Sequence, residues 1–194
     1  MKTEMIHTPK ILLLSGGLDS TTLLYDCIAS DVPVLALLAH YKSAHNDFEL
    51  SCAKFHCKRL GVNFRTIELP PLGGLTEKSW VVPARNLILL SLAANVAVEV
   101  GAEEILVGFN AADEAGFPDC RQAFVQMLNN TFTTAEIPVQ VVAPYLFKQK
   151  WEIGDLARQL GVPMEFIWTC YTPTKRGEQC GKCPACLKLK EALR

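Results

Sequence analysis

The chain has 194 residues, 49% hydrophobic and 20% charged, enough for one continuous core and unlike either a disordered chain or a small disulfide-stapled one. Its formal net charge of −1 lacks the basic excess of a surface that tracks nucleic acid, so a large nucleic-acid substrate is disfavoured. Residues 1–10 are polar and the apolar run at 11–14 is too short for export or bilayer insertion, so a cytoplasmic protein with no membrane partner is expected.

Residues 11–14, Ile-Leu-Leu-Leu, read as a strand buried on both faces that enters a tight turn at Gly16 and Gly17. From Asp19 the sequence predicts a helix, and residues 33–39 a second strand. Phe48, Cys52 and Phe55 stand at helical spacing ahead of Gly61 as a stop signal, and residues 62–69 follow as a third strand. A long helix is predicted over 86–100, ended by Gly101, with strands at 104–109 and 138–143 and a short helix at 121–130 between them. Trp151, Leu156 and Leu160 place another helix over 148–160, closed by Gly161-Val162-Pro163. The basic tail, with Lys175, Arg176, Lys182, Lys188, Lys190 and Arg194 against Glu178 and Glu191, reads as a solvated helix end. This alternation predicts one α/β domain over residues 1–194, a mostly parallel sheet with helices on both faces. Such a sheet binds ligands at the carboxyl ends of its strands, near the switch in strand order.

Ser15-Gly16-Gly17-Leu18-Asp19-Ser20 follows the first strand and opens the first helix. Its backbone N–H groups converge where the helix dipole favours an anion, and the two glycines let phosphate approach closely. With Leu14 and Thr21 at its edges, this stretch is the candidate ATP-binding site; Ser15 and Ser20 add hydroxyl donors, and Asp19 suits Mg²⁺ or orients the loop. The absence of a following Gly-Lys-Ser/Thr separates it from a Walker loop.

Near the C-terminus, Cys170, Cys180, Cys183 and Cys186 are spaced Cys-x9-Cys-x2-Cys-x2-Cys. Four thiolates so placed can close a tetrahedron around a structural Zn²⁺, which makes residues 170–186 a candidate zinc-binding segment. Iron–sulfur clusters and redox pairs also use Cys-x-x-Cys, and these remain the rival readings. Cys27, Cys52 and Cys57 read as small core hydrophobes, and Cys120 is assigned no chemistry.

The hexapeptide resembles the PP-loop of the adenylating ATP pyrophosphatases, of adenine nucleotide alpha hydrolase-like fold, which cleave ATP between the α and β phosphates. With the cysteine pattern added, the chain resembles the QueC family of 7-cyano-7-deazaguanine synthases. Pro83-Ala84-Arg85-Asn86 matches its Pro-x-Arg-Asn, and Thr169-Cys170-Tyr171 its Thr-Cys-Tyr. Residues 108–121 match Gly-x-Asn-x-x-Asp-x-x-Gly-Tyr-Pro-Asp-Cys-Arg, with Phe117 in place of Tyr. The resemblance implies ATP- and Mg²⁺-dependent conversion of 7-carboxy-7-deazaguanine with ammonia, through an acyl-adenylate and an amide to the nitrile, by a homodimer. It also implies Arg85, Asn86, Asn110, Asp113, Asp119 and Arg121 as substrate or catalytic residues. Asp113 and Asp119 suit the N–H edge of a guanine-like base, and Arg85 and Arg121 suit a carboxylate or the α-phosphate.

Two stretches depart from the family. Tyr41-Lys42-Ser43-Ala44-His45 keeps only the Tyr and His of Tyr-Gly-Gln-Arg-His, and the segment 70–82 is shortened. Both fit a trimmed member such as a QueC-like ligase of antiviral defence that joins a deazaguanine to a protein or peptide amine. A tRNA thiolase and a non-enzymatic zinc module are further alternatives.

Overall fold

The computed structural model describes residues 8–43, 45–72, 81–114 and 116–194. Ala44, Ala115 and most of the shortened 70–82 segment lie outside these. Five strands form one sheet: β1 (Lys10–Leu13), β2 (Val34–His40), β3 (Phe64–Glu68), β4 (Glu104–Leu106) and β5 (Gln140–Val142). Their order is β3-β2-β1-β4-β5, every pairing is parallel, and Leu12 lies between Ala36 and Leu106. The chain winds outward from β1 in one direction through β2 and β3, and in the other through β4 and β5. The crevice above β1 and β4 is therefore the switch point, where the connections leave in opposite directions and open a ligand site.

Helices α1 (Leu18–Ala29), α2 (Asn46–Leu60), α3 (Arg85–Val100), α4 (Ala111–Glu114), α5 (Gln122–Thr134), α6 (Lys150–Gln159) and α7 (Pro184–Ala192) cover both faces. Leu12, Ala36, Leu38 and Leu106 pack with α1, α2 and α6 on one face. Ile11, Leu37, Ile105 and Val141 pack with α3 and α5 on the other. Alternate residues of one strand thus enter different cores, which is why the central strands read as unbroken apolar runs. Among the described residues no helix is long and apolar enough to cross a membrane.

The elements fall close to their expected places, with two differences. β4 ends at Leu106 rather than continuing to residue 109; Val107 still donates to the Val142 carbonyl at 3.0 Å before the chain leaves the sheet. α5 runs on to Thr134 because Phe132, 5% exposed, is buried in the core, and tertiary packing extends a helix that its own residues only weakly favour.

α7 is seated on α6 through Gly154, where a Cβ would stand 2.0 Å from the Ala192 carbonyl oxygen. Backbone cannot yield as a side chain does, so Gly154→Ala is expected to push the two helices apart at a cost of about 2 kcal/mol. The check is thermal unfolding, with Gly116→Ala, an exposed site with nothing within 4 Å and no left-handed φ, as the comparison.

Candidate active site

The loop between β1 and α1 turns on Gly16, whose φ of 78° is left-handed and whose missing side chain lets it rest on α2. A Cβ there would stand 2.5 Å from the Glu49 carbonyl oxygen. Ser15 and Ser20 hydroxyls lie 3.0 Å apart, Ser20 Oγ accepts the Ser15 N–H at 3.2 Å, and Ser15 Oγ accepts the Gly17 N–H at 3.3 Å. These contacts hold the loop in a tight ring over the N-terminus of α1, a cradle for an anion. Leu14, Leu18 and Thr21 are buried beneath it as its anchor. Asp19 Oδ2 pairs with Lys150 Nζ from the start of α6, while Asp19 Oδ1 and Thr21 Oγ1 are buried without a partner among the described residues.

Ser15, Gly17, Asp19 and Ser20 line a cleft of about 300 Å³ at the switch point, together with Arg85, Asn86 and Asp113. Two of the family-implied residues stand behind this wall. Asn110, fully buried, donates to Asp113 Oδ2 at 2.7 Å, and Asp119 accepts from the Asn86 N–H at 3.4 Å and, through its carbonyl, from Asn86 Nδ2 at 3.2 Å. They position Asp113 and the first turn of α3. Arg121 is exposed, donates to the Glu114 carbonyl at 3.0 Å, and is not among the cleft's lining residues.

Burial pushes Asp113 above the usual carboxylate range, with Lys150 and Lys188 working against the rise and Asp19 adding to it. Arg85 meets a burial penalty that Tyr41, Tyr171 and Glu49 outweigh, so it stays charged. Glu49 is pushed up to about 7 by burial, offset in part by Arg85 and by the Asn46 side chain. Cys120 is pushed up to about 12, chiefly by burial, an inert packed thiol as read from the sequence. Cys27 and Cys57, each pushed up to about 11 by burial, sit in the apolar core.

Sequence reading missed Lys150, Lys188 and Glu49, all of which line the cleft. Lys188 lies in the tail taken for a solvated helix end, yet its Nζ donates to the Ala112 carbonyl at 3.2 Å and lies 3.9 Å from Asp113 Oδ1. A lysine at a helix start carries no local mark of a partner 131 residues away, as Lys150 has in Asp19.

The sulfur atoms of Cys170, Cys180, Cys183 and Cys186 all lie within 4.8 Å of one another, and those of Cys180 and Cys186 are 4.0 Å apart. Metal–sulfur bonds of about 2.3 Å in a tetrahedron place the sulfurs about 3.8 Å apart, so the donor set fits an ion after shifts of tenths of an ångström. The Cys180 N–H donates to Cys170 Sγ at 3.2 Å, and the Cys183 N–H and Thr172 Oγ1 each donate to Cys180 Sγ at 3.3 Å. Such donors favour thiolates, and the Thr172 hydroxyl leads in holding the Cys180 thiol below its ordinary range. Trp168 links this segment to the phosphate loop. Its ring stacks on Phe48 at 4.3 Å, its Nε1 donates to the Cys170 carbonyl at 3.0 Å, and its N–H donates to the Gly16 carbonyl at 3.0 Å.

The family described as "Queuosine biosynthesis protein QueC" matches the chain over residues 9–81 and 76–194. This chain belongs to the QueC family. Proteins named 7-cyano-7-deazaguanine synthase from Hahella chejuensis and Leptospira interrogans are each 36% identical to it. The matches cover 98% and 99% of this chain and 90% and 89% of theirs. Among solved structures, a 4-thiouridine synthetase in complex with RNA and bound ATP is similar in fold, with a TM-score of 0.54 at 18% identity. That match covers 79% of this chain and 41% of the synthetase. Lys42, in the stretch that departs from the resembled motif, takes a left-handed φ of 57°.

Proposed function

We infer that this QueC-family chain adenylates the carboxylate of 7-carboxy-7-deazaguanine with ATP, then passes the acyl group to ammonia, forming first the amide and then the nitrile. The observation that carries this reading is one cleft, at the switch point of the sheet, lined both by the phosphate loop and by Arg85 and Asp113. The family's synthases and the ATP bound by a protein of the same fold support it. A phosphate chain lies against the loop amides and the Ser15 and Ser20 hydroxyls, with Lys150 at its side. Arg85 pairs its planar fork with the substrate carboxylate or the α-phosphate. Asp113, kept in place by Asn110, accepts from the N–H edge of the base. Asp19 Oδ1, buried and without a partner among the described residues, is a hard oxygen donor suited to the Mg²⁺ that accompanies ATP and neutralises phosphate charge.

The four cysteines hold Zn²⁺ in this reading, a closed shell that supplies structure and leaves no open position for chemistry. A homodimer is the working form.

Turnover is expected to release AMP and pyrophosphate. Asp19→Asn removes a charge from the loop and from Lys150, and should slow that release about tenfold or more. Chromatographic analysis of the nucleotides checks both points, and ADP with phosphate as the only products would overturn the adenylation assignment.

A further inference from the structure

Glu49 stands in the first turn of α2 at the edge of the cleft, and none of the adenylation chemistry above employs it. Its backbone carbonyl lies against Gly16, so the residue is fixed beside the phosphate loop. Its side chain keeps 16% of its surface exposed, enough to meet a small molecule. Oε2 accepts a hydrogen bond from Asn46 Nδ2 at 3.2 Å, whereas Oε1 faces His45 Nε2 at 3.8 Å, beyond hydrogen-bond reach. Among the described residues, Oε1 therefore has no hydrogen-bond partner, and it stands in the same cleft as the phosphate loop, where the acyl-adenylate would form.

We propose that Glu49 is the general base that takes the proton from the attacking nitrogen when ammonia displaces AMP, a role that rests on the adenylation reading above. In this step the nitrogen lone pair forms the C–N bond, and the bond from the acyl carbon to the phosphate oxygen breaks with its electrons leaving on AMP. The proton lost by nitrogen passes to Glu49 Oε1. Acyl-adenylate, ammonia and carboxylate become amide, AMP and carboxylic acid, and the open side of the cleft returns the proton to water.

The surroundings suit that task. Arg85 from α3, Tyr41 after β2, Tyr171 from the cysteine segment, His45 ahead of α2, and Asn46 and Cys52 on α2 itself surround Glu49. Burial raises it to about 7, and Arg85 opposes the rise. Burial, then the Arg85 charge, pushes His45 down, so it adds no second cation near neutral pH. An anion paired with Arg85 weakens the one charge that favours the Glu49 carboxylate. Glu49 thus becomes a stronger base once the site is loaded. The sign follows: the carboxyl accepts only when deprotonated, with its midpoint at about 7 in the free site and higher once an anion pairs with Arg85, so the transfer step speeds up as pH rises from neutral upward.

The test separates the two half-reactions in the full-length protein. Glu49→Gln is expected to keep acid-dependent ATP–pyrophosphate exchange within about threefold while amide formation at fixed free ammonia falls about 100-fold. The variant should also lose the rise through neutral pH, and hydroxylamine, uncharged at that pH and a stronger nucleophile, should recover most of the rate. Amide formation at the wild-type rate with an unchanged pH profile overturns the role. So does an equal loss of exchange and amide formation, which assigns Glu49 to adenylation or to the fold. Absence of exchange in the wild-type protein is a distinct result, which removes the adenylation reading and this role with it.

Discussion

Purified protein is expected to carry about one zinc ion per chain, and Cys183→Ser to lose the metal, most of the stability and ATP binding together. Cys183 is 5% exposed, caps the start of α7 and packs with Trp168, Cys170 and Cys186, so its loss opens the shell from inside. A structural zinc site contributes on the order of 10 kcal/mol at neutral pH, comparable to the whole stability of a domain this size. ATP binding falls as well because Trp168 holds Gly16 through its N–H, and the cysteine segment holds Trp168 through the Cys170 carbonyl. Metal analysis, thermal unfolding and a nucleotide-binding titration on the same preparations check the three effects. Iron with visible absorbance, or a folded protein without metal, would overturn the zinc assignment. A variant that loses metal yet binds ATP normally would break the link through Trp168.

Arg85→Ala is expected to lower adenylation, measured as kcat/KM for ATP–pyrophosphate exchange, by about 1,000-fold, the scale of losing one charged donor aimed at developing charge. Arg85 is the cation around which Tyr41, Tyr171 and Glu49 gather, and removing it leaves no other forked donor among the residues lining the cleft. Arg85→Lys keeps the charge and loses the planar fork, so it should recover only part of the rate. Thermal unfolding separates this from a folding defect. Exchange within a few-fold of wild type in the alanine variant would remove Arg85 from the proposed reaction.

Arg121 shows where motif reading and geometry part. Both arginines sit in family motifs, yet Arg85 reaches the cleft while Arg121 is exposed and donates to a carbonyl seven residues away. The two motifs meet, since Asn86 beside Arg85 donates to Asp119 two residues before Arg121, and still only one of the arginines lines the cleft. Lys42 is the converse case. The sequence marks it only as a departure from the resembled Tyr-Gly-Gln-Arg-His motif, and the structure shows there a left-handed turn of the kind glycine favours.

The features legible in the sequence are those governed by rules that act over a few residues. The apolar strands, the glycine turn at the head of α1, the helix stops at Gly61 and Gly101 and the spacing of the last three cysteines are of this kind. Periodicity, turn chemistry and ligand spacing need no knowledge of the rest of the chain. What only the tertiary structure decided is which distant side chains share the cleft. Asp19 meets Lys150, Lys188 reaches the Asp113 wall, and Glu49 comes to rest beneath Gly16. The physical reason is topological: parallel strands gather their carboxyl ends at one edge of the sheet, so residues far apart in sequence become neighbours there, and no local pattern records which ones.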